Sequence, residues 1–94
     1  MNEQWTTFDA AKYLETDADR IDYLRQAFET GESSLIANAV GVVARAQGMS
    51  EIAKKTGAAR EALYTSLSES GNPTLKTVLA VLAAMGVKLA PIPA

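Results

Sequence analysis

The 94 residues contain no cysteine and no histidine. Without cysteine there is no disulfide scaffold, no cysteine-rich zinc site and no thiol chemistry. Without histidine the chain lacks the commonest general base and the commonest metal ligand. What remains offers no convergent nucleophile–base set, so neither an enzyme nor a cofactor or metal is expected. Long apolar runs are missing too. The longest near-apolar stretches, 35–44 and 77–84, fall well short of the roughly 18 residues that a membrane helix needs. The opening Met1-Asn2-Glu3-Gln4-Trp5 has neither the basic region nor the apolar run of a signal peptide. These absences predict a cytoplasmic protein with no membrane partner.

A surplus of positive charge is also absent, since the net charge is -2. Its distribution is uneven. Residues 1–44 carry three basic side chains against eight acidic ones, a balance of -5, and residues 45–94 carry six against three, a balance of +3. An acidic half and a basic half suggest two surfaces with different partners, although chance asymmetry would look the same.

With 48% hydrophobic residues the chain can build one compact core and little else. The spacing predicts an all-α protein of five to six short helices, in one domain over 1–94. An acidic helical extension covers 1–32, a core 33–86 and a tail 87–94. Asp9 is expected to cap a short helix ending at Leu14. Asp17 or Asp19 caps the next, Arg20 to Glu29, with Ile21, Leu24 and Phe28 on one face. Ser33 caps Ser34 to Gln47, which is apolar almost all round and therefore central. Ser50 caps Glu51 to Thr56, and a helix from Ala59 to Leu67 follows. Thr74 caps Leu75 to Met85, whose buried stripe is read as Leu75, Val78, Leu79, Leu82 and Met85. Val87-Lys88-Leu89-Ala90 alternates like a short strand, which Pro91 and Pro93 would end.

The informative stretch is 49–68. Two short helices meeting at a glycine turn make a helix-turn-helix. Ala53 allows a close crossing, Gly57 takes the turn, and Ile52 and Leu63 point inward. Ala59, Arg60, Glu61, Tyr64, Thr65 and Ser68 are left on the outer face of the second helix, the set that can enter a major groove. Ser66 stands where a branched apolar residue is usual, with Leu67 one place later. That leaves the helix's rotation open by one residue.

Together with Gly71-Asn72-Pro73-Thr74-Leu75 and the closing helix, these features resemble the lambda-repressor-like helix-turn-helix domain. Four stretches are similar to the HigA-like "probable addiction module antidote protein" family. They are Phe8-Asp9-Ala10-Ala11-Lys12-Tyr13-Leu14, Ala44-Arg45-Ala46-Gln47-Gly48-Met49-Ser50, Ala59-Arg60-Glu61-Ala62-Leu63-Tyr64 and Leu67-Ser68-Glu69-Ser70-Gly71-Asn72-Pro73-Thr74. The resemblance implies a type II antitoxin. Such a protein neutralises a small basic RelE/ParE-like toxin and represses its own operon by binding double-stranded operator DNA as a homodimer. A stand-alone phage-type repressor and a non-DNA-binding interaction module of the same fold are the alternatives.

Each candidate residue also has a plain structural role. Arg60 suits a guanine edge or a phosphate, but is equally a solvated charge beside Glu61. Tyr64 suits a sugar or a thymine methyl, or half-buried packing. Glu61 accepts from cytosine, or tunes orientation by repulsion. Thr65 is a groove candidate, and Ala59 reaches no further than a methyl contact. Ser50 caps its helix and offers a backbone N–H to a phosphate. Lys54 and Lys55 neighbour phosphates, or lie on an ordinary solvated face. Tyr13, Asp17, Asp19, Asp22 and Glu29 form a candidate surface for the toxin, or a solvated face complementing a helix dipole. The dimer contact is read as 87–92 or the last helix.

Overall fold

The computed structural model describes residues 14–94. The short helix expected before Leu14, and Tyr13 with it, lie outside the described residues. The first described helix, α1 (Asp17–Thr30), begins at Thr16. Thr16 is extended, and its hydroxyl accepts from the Asp19 N–H at 3.1 Å. The expectation of an aspartate cap is corrected: Asp17 and Asp19 lie inside the first turn, where acids meet the positive end of the helix dipole.

Next comes α2 (Ser33–Gln47). Ser33 is its first helical residue, not its cap; Glu32 holds the cap position, without a side-chain bond. As its composition predicts, α2 is central: it packs against α1, α3, α4 and α5. Val40, Val43 and Ala44 are fully enclosed. Then follow α3 (Met49–Thr56), α4 (Arg60–Ser66) and α5 (Leu75–Ala84). Thr74 caps α5 as expected, its hydroxyl accepting from the Thr77 N–H at 3.1 Å. Five helices and no strand among the described residues make a small all-helical bundle consistent with a helix-turn-helix-like fold. None of these helices is long and apolar enough to cross a membrane.

Two expectations fail at the C-terminal end. Residues 87–94 form no strand. An alternating segment makes a ladder only where a second strand pairs with it, and none is present among the described residues. The chain turns back instead: the Val87 N–H donates to the Leu82 carbonyl at 2.8 Å, and Val87 packs on the core while Lys88 and Leu89 stay exposed. The buried stripe of α5 is also narrower than expected. Val78, Val81, Leu82 and Met85 are buried, but Leu75 is 66% exposed and Leu79 43%. The helix packs against α2 and α3, and its 78/81/82/85 side is the buried one.

The backbones of α2 and the end of α4 approach each other closely. A Cβ built on Gly41 would collide with the Leu67 carbonyl oxygen and lie 3.1 Å from the Leu67 Cβ. A backbone carbonyl cannot rotate aside as a side chain does, so the whole of α4 would have to move. Gly41→Ala is expected to destabilise the fold by about 1–3 kcal/mol despite its better helix propensity. A urea titration followed by circular dichroism checks this, and an unchanged or raised midpoint would contradict the close approach.

Candidate nucleic-acid interface

The turn between α3 and α4 is built from short-range bonds. Gly57 adopts φ +76°, the left-handed region glycine tolerates, and its N–H donates to the Ala53 carbonyl at 2.9 Å. Thr56 reinforces it. Its hydroxyl donates to the Ala53 carbonyl at 3.2 Å and accepts from the Ala58 N–H at 3.3 Å. Sequence reasoning missed Thr56, though a threonine just before a turn glycine is a recognised signal for such a bond. Ile52 and Leu63 are buried as expected, and Ala53 is half-buried against the core.

Leu63 and Leu67 settle the rotation of α4. Both are enclosed, four residues apart, while Ser66 is only half-buried. With that side facing in, Ala59, Arg60, Glu61 and Thr65 are exposed and Tyr64 and Ser68 half-exposed. All six residues picked from sequence are therefore exposed or half-exposed. Arg60 leans on Tyr64 rather than on Glu61: its guanidinium carbon is 5.2 Å from the ring centroid and one nitrogen donates to the Tyr64 hydroxyl at 3.4 Å. Such a stack narrows the directions the guanidinium samples. The hydroxyl of Thr65 donates to the Glu61 carbonyl at 3.0 Å, and that of Ser68 to the Thr65 carbonyl at 2.9 Å. Their protons are engaged; the Thr65 oxygen remains to accept, and the Ser68 oxygen also lies 3.5 Å from the Ser70 hydroxyl.

Ser50 is not a cap. It is the second residue of α3, and Gly48 occupies the cap position with no side-chain bond. The serine is exposed, and the first-turn amides of α3 lack a capping side chain. Lys54 and Lys55 are exposed in the last turn of α3, where cations also complement the helix dipole. Among the described residues, both ion pairs lie in α1, Arg20 with Asp17 at 3.1 Å and Arg25 with Asp22 at 3.6 Å. Arg60, Lys54 and Lys55 have no carboxylate at that range among those residues.

The acidic candidates divide. Asp19, Asp22 and Glu29 follow one stripe of α1 by helical spacing, while Asp17 projects from another side and, with Arg20, Val43 and Met85, lines a hollow. Asp22 is already engaged by Arg25 and accepts from the Gln26 amide at 2.9 Å. Among the described residues, no three carboxylates cluster closely enough to hold a metal ion.

Fold and site together define a small helical bundle with an exposed, cation-bearing short helix after a glycine turn. A family model described as "Probable addiction module antidote protein" matches residues 4–93, and the chain belongs to that family. A Haemophilus influenzae protein, described only as an uncharacterized protein, is 40% identical over 88 residues, covering 94% of this chain and 91% of that one. No solved structure gives a significant match. The family supports an antitoxin role, and with it a toxin partner in general.

The stack of Arg60 on Tyr64 is testable without any ligand. A double-mutant cycle with Arg60→Ala and Tyr64→Leu, read by urea unfolding, is expected to give a coupling of about 0.5–1 kcal/mol. No coupling would mean that the guanidinium swings free in solution.

Proposed function

We propose that this antidote protein neutralises a small basic toxin of RelE/ParE-like type and represses its own operon by laying α4 in the major groove of operator DNA. The observation that carries the DNA reading is the rotation of α4. Burial of Leu63 and Leu67 presents Arg60, Glu61 and Thr65 together, beside Lys54, Lys55 and the uncapped start of α3. Each part has a role. Arg60 meets a guanine edge, steered by Tyr64, and Ala59 and Tyr64 give apolar contact. Thr65 and Ser68 accept from base amino groups, Glu61 rejects mismatched edges, and Lys54 and Lys55 neutralise phosphates. The backbone N–H of Ser50 binds a phosphate at the α3 N-terminus.

Two copies act together, one per half-site, about 34 Å apart on the duplex. A chain of net charge -2 binds weakly as one copy, and pairing adds the missing contacts. The stripe of Asp19, Asp22 and Glu29, with Asp17 and Tyr13 near it in sequence, receives the toxin. This places the two partners on the acidic and basic halves of the chain. The overall negative charge favours a second reading, an interaction module of this family that binds toxin and not DNA.

The test is a titration against DNA from upstream of the gene. Arg60→Ala is expected to weaken specific binding by about 1–3 kcal/mol, roughly five- to 150-fold. Lys55→Ala should instead weaken binding to all sequences alike and flatten the salt dependence. Absence of binding by the wild type, alone and with its toxin, would sink the repressor reading and leave the interaction module.

A further inference from the structure

The chain enters the bundle at a defined place. Leu14 is 4% exposed, so residues 1–13 lead directly into the core. One residue further on, the Glu15 carbonyl accepts from Arg20 at 3.3 Å, and Arg20 also pairs with Asp17 at 3.1 Å. That arginine is largely covered, its side chain 19% exposed. Its Nε is buried and has no acceptor among the described residues. Buried donors are ordinarily paired, so Arg20 lacks a partner that a segment laid against it would bring.

Arg20 stands at the head of a groove. With Ile21, Gln47, Met85 and Val87 it lines a hollow of about 160 Å³. Ile21 and Val87 also line the next hollow, of about 310 Å³, whose other walls include Leu24 and Phe28 of α1 and Leu89 and Ala90 beyond α5. The two hollows thus follow α1 from its first turn to its last, starting where the chain enters. Arg25 and Lys88 line the second hollow and give it two cations.

The sequence ahead of Leu14 has the matching chemistry. Trp5, Phe8 and Tyr13 are aromatic, and Glu3 and Asp9 are acidic. Aromatic rings bring the large apolar area that such walls need, and the acids complement Arg25 and Lys88. Length is sufficient as well. Residues 5–13 reach about 30 Å when extended, against a longest molecular extent of 39 Å. Phe8 and Trp5 can therefore lie anywhere along the groove. We infer that residues 5–13 of this chain dock in the groove between α1 and residues 87–90, over Arg20. The inference goes beyond the function proposed above and does not depend on DNA reading or on pairing of copies. It gives Tyr13, assigned above to the toxin surface, a position on the bundle beside α1.

Trp5 is the chain's one tryptophan, so its fluorescence reports the segment directly. In the full chain, without DNA or toxin, its emission is expected to lie to the blue of that in urea. Acrylamide should quench it severalfold less than in urea. Arg25→Glu and, separately, Ala90→Glu place an acid in the groove at exposed positions. Each should return emission and quenching to the urea values while helical circular dichroism is unchanged. A variant that fails to fold is replaced by the other. A wild-type tryptophan as open as in urea would overturn the inference, and so would shielding that survives both variants. Shielding that appears only as protein concentration rises would overturn it too, by giving the groove to the segment of a second copy. Arg60→Ala lies outside the groove and should keep Trp5 shielded, so failed docking and failed DNA reading are told apart.

Discussion

The orientation of the side chains proposed to read DNA from α4 depends on one packing constraint, the burial of Leu63 and Leu67 in the core. Both side chains are fully enclosed, and the chain at Leu67 approaches so closely that only glycine fits opposite, at position 41. A helix of seven residues has too little of its own stability to hold a fixed rotation. Its two inward leucines supply that rotation. Once they are fixed, the outward direction of Arg60, Glu61 and Thr65 follows from helical geometry. The turn at Gly57 and the Thr56 hydroxyl bonds then set where α4 starts relative to α3.

Charge divides the same small molecule into zones. The acids concentrate on α1, partly in its first turn, where they complement the helix dipole and pair with nearby arginines. Lys54, Lys55 and Arg60 lie exposed on α3 and α4. The outer side of α5, with Leu75 and Leu79, is apolar and exposed. The core is narrow: α2 packs against every other described helix, and each of those keeps one side toward solvent.

Much of this was legible in the sequence, because it rests on local rules. The enclosed α2 showed in its composition, the α3–α4 turn in Gly57, and the Thr74 cap in the threonine before an apolar run. The outward set on α4 followed from Ile52 and Leu63 with its rotation open by one residue, which the burial of Leu67 rather than Ser66 closes. The failures share a different cause. Thr16, Asp17 and Asp19 are all competent caps, and which one serves depends on where the preceding chain, at the buried Leu14, enters the core. Ser50 looks like a cap, but Gly48 ends α2 so abruptly that α3 starts two residues earlier than expected. Leu75 and Leu79 have the pattern of core residues, and nothing in the α5 sequence tells an inner side from an outer one. Gly41 reads as a weak point in a helix, and only tertiary structure shows it as a close approach.

The central claim, that α4 with the start of α3 forms a DNA-reading surface, is met most directly by nuclear magnetic resonance. Backbone amide shifts of the labelled full chain would be followed while a duplex from upstream of its gene is added. The account predicts that the largest changes fall on residues 49–51 and 59–68, with α1 little affected. Changes concentrated on α1, or none anywhere at saturating duplex, would contradict it.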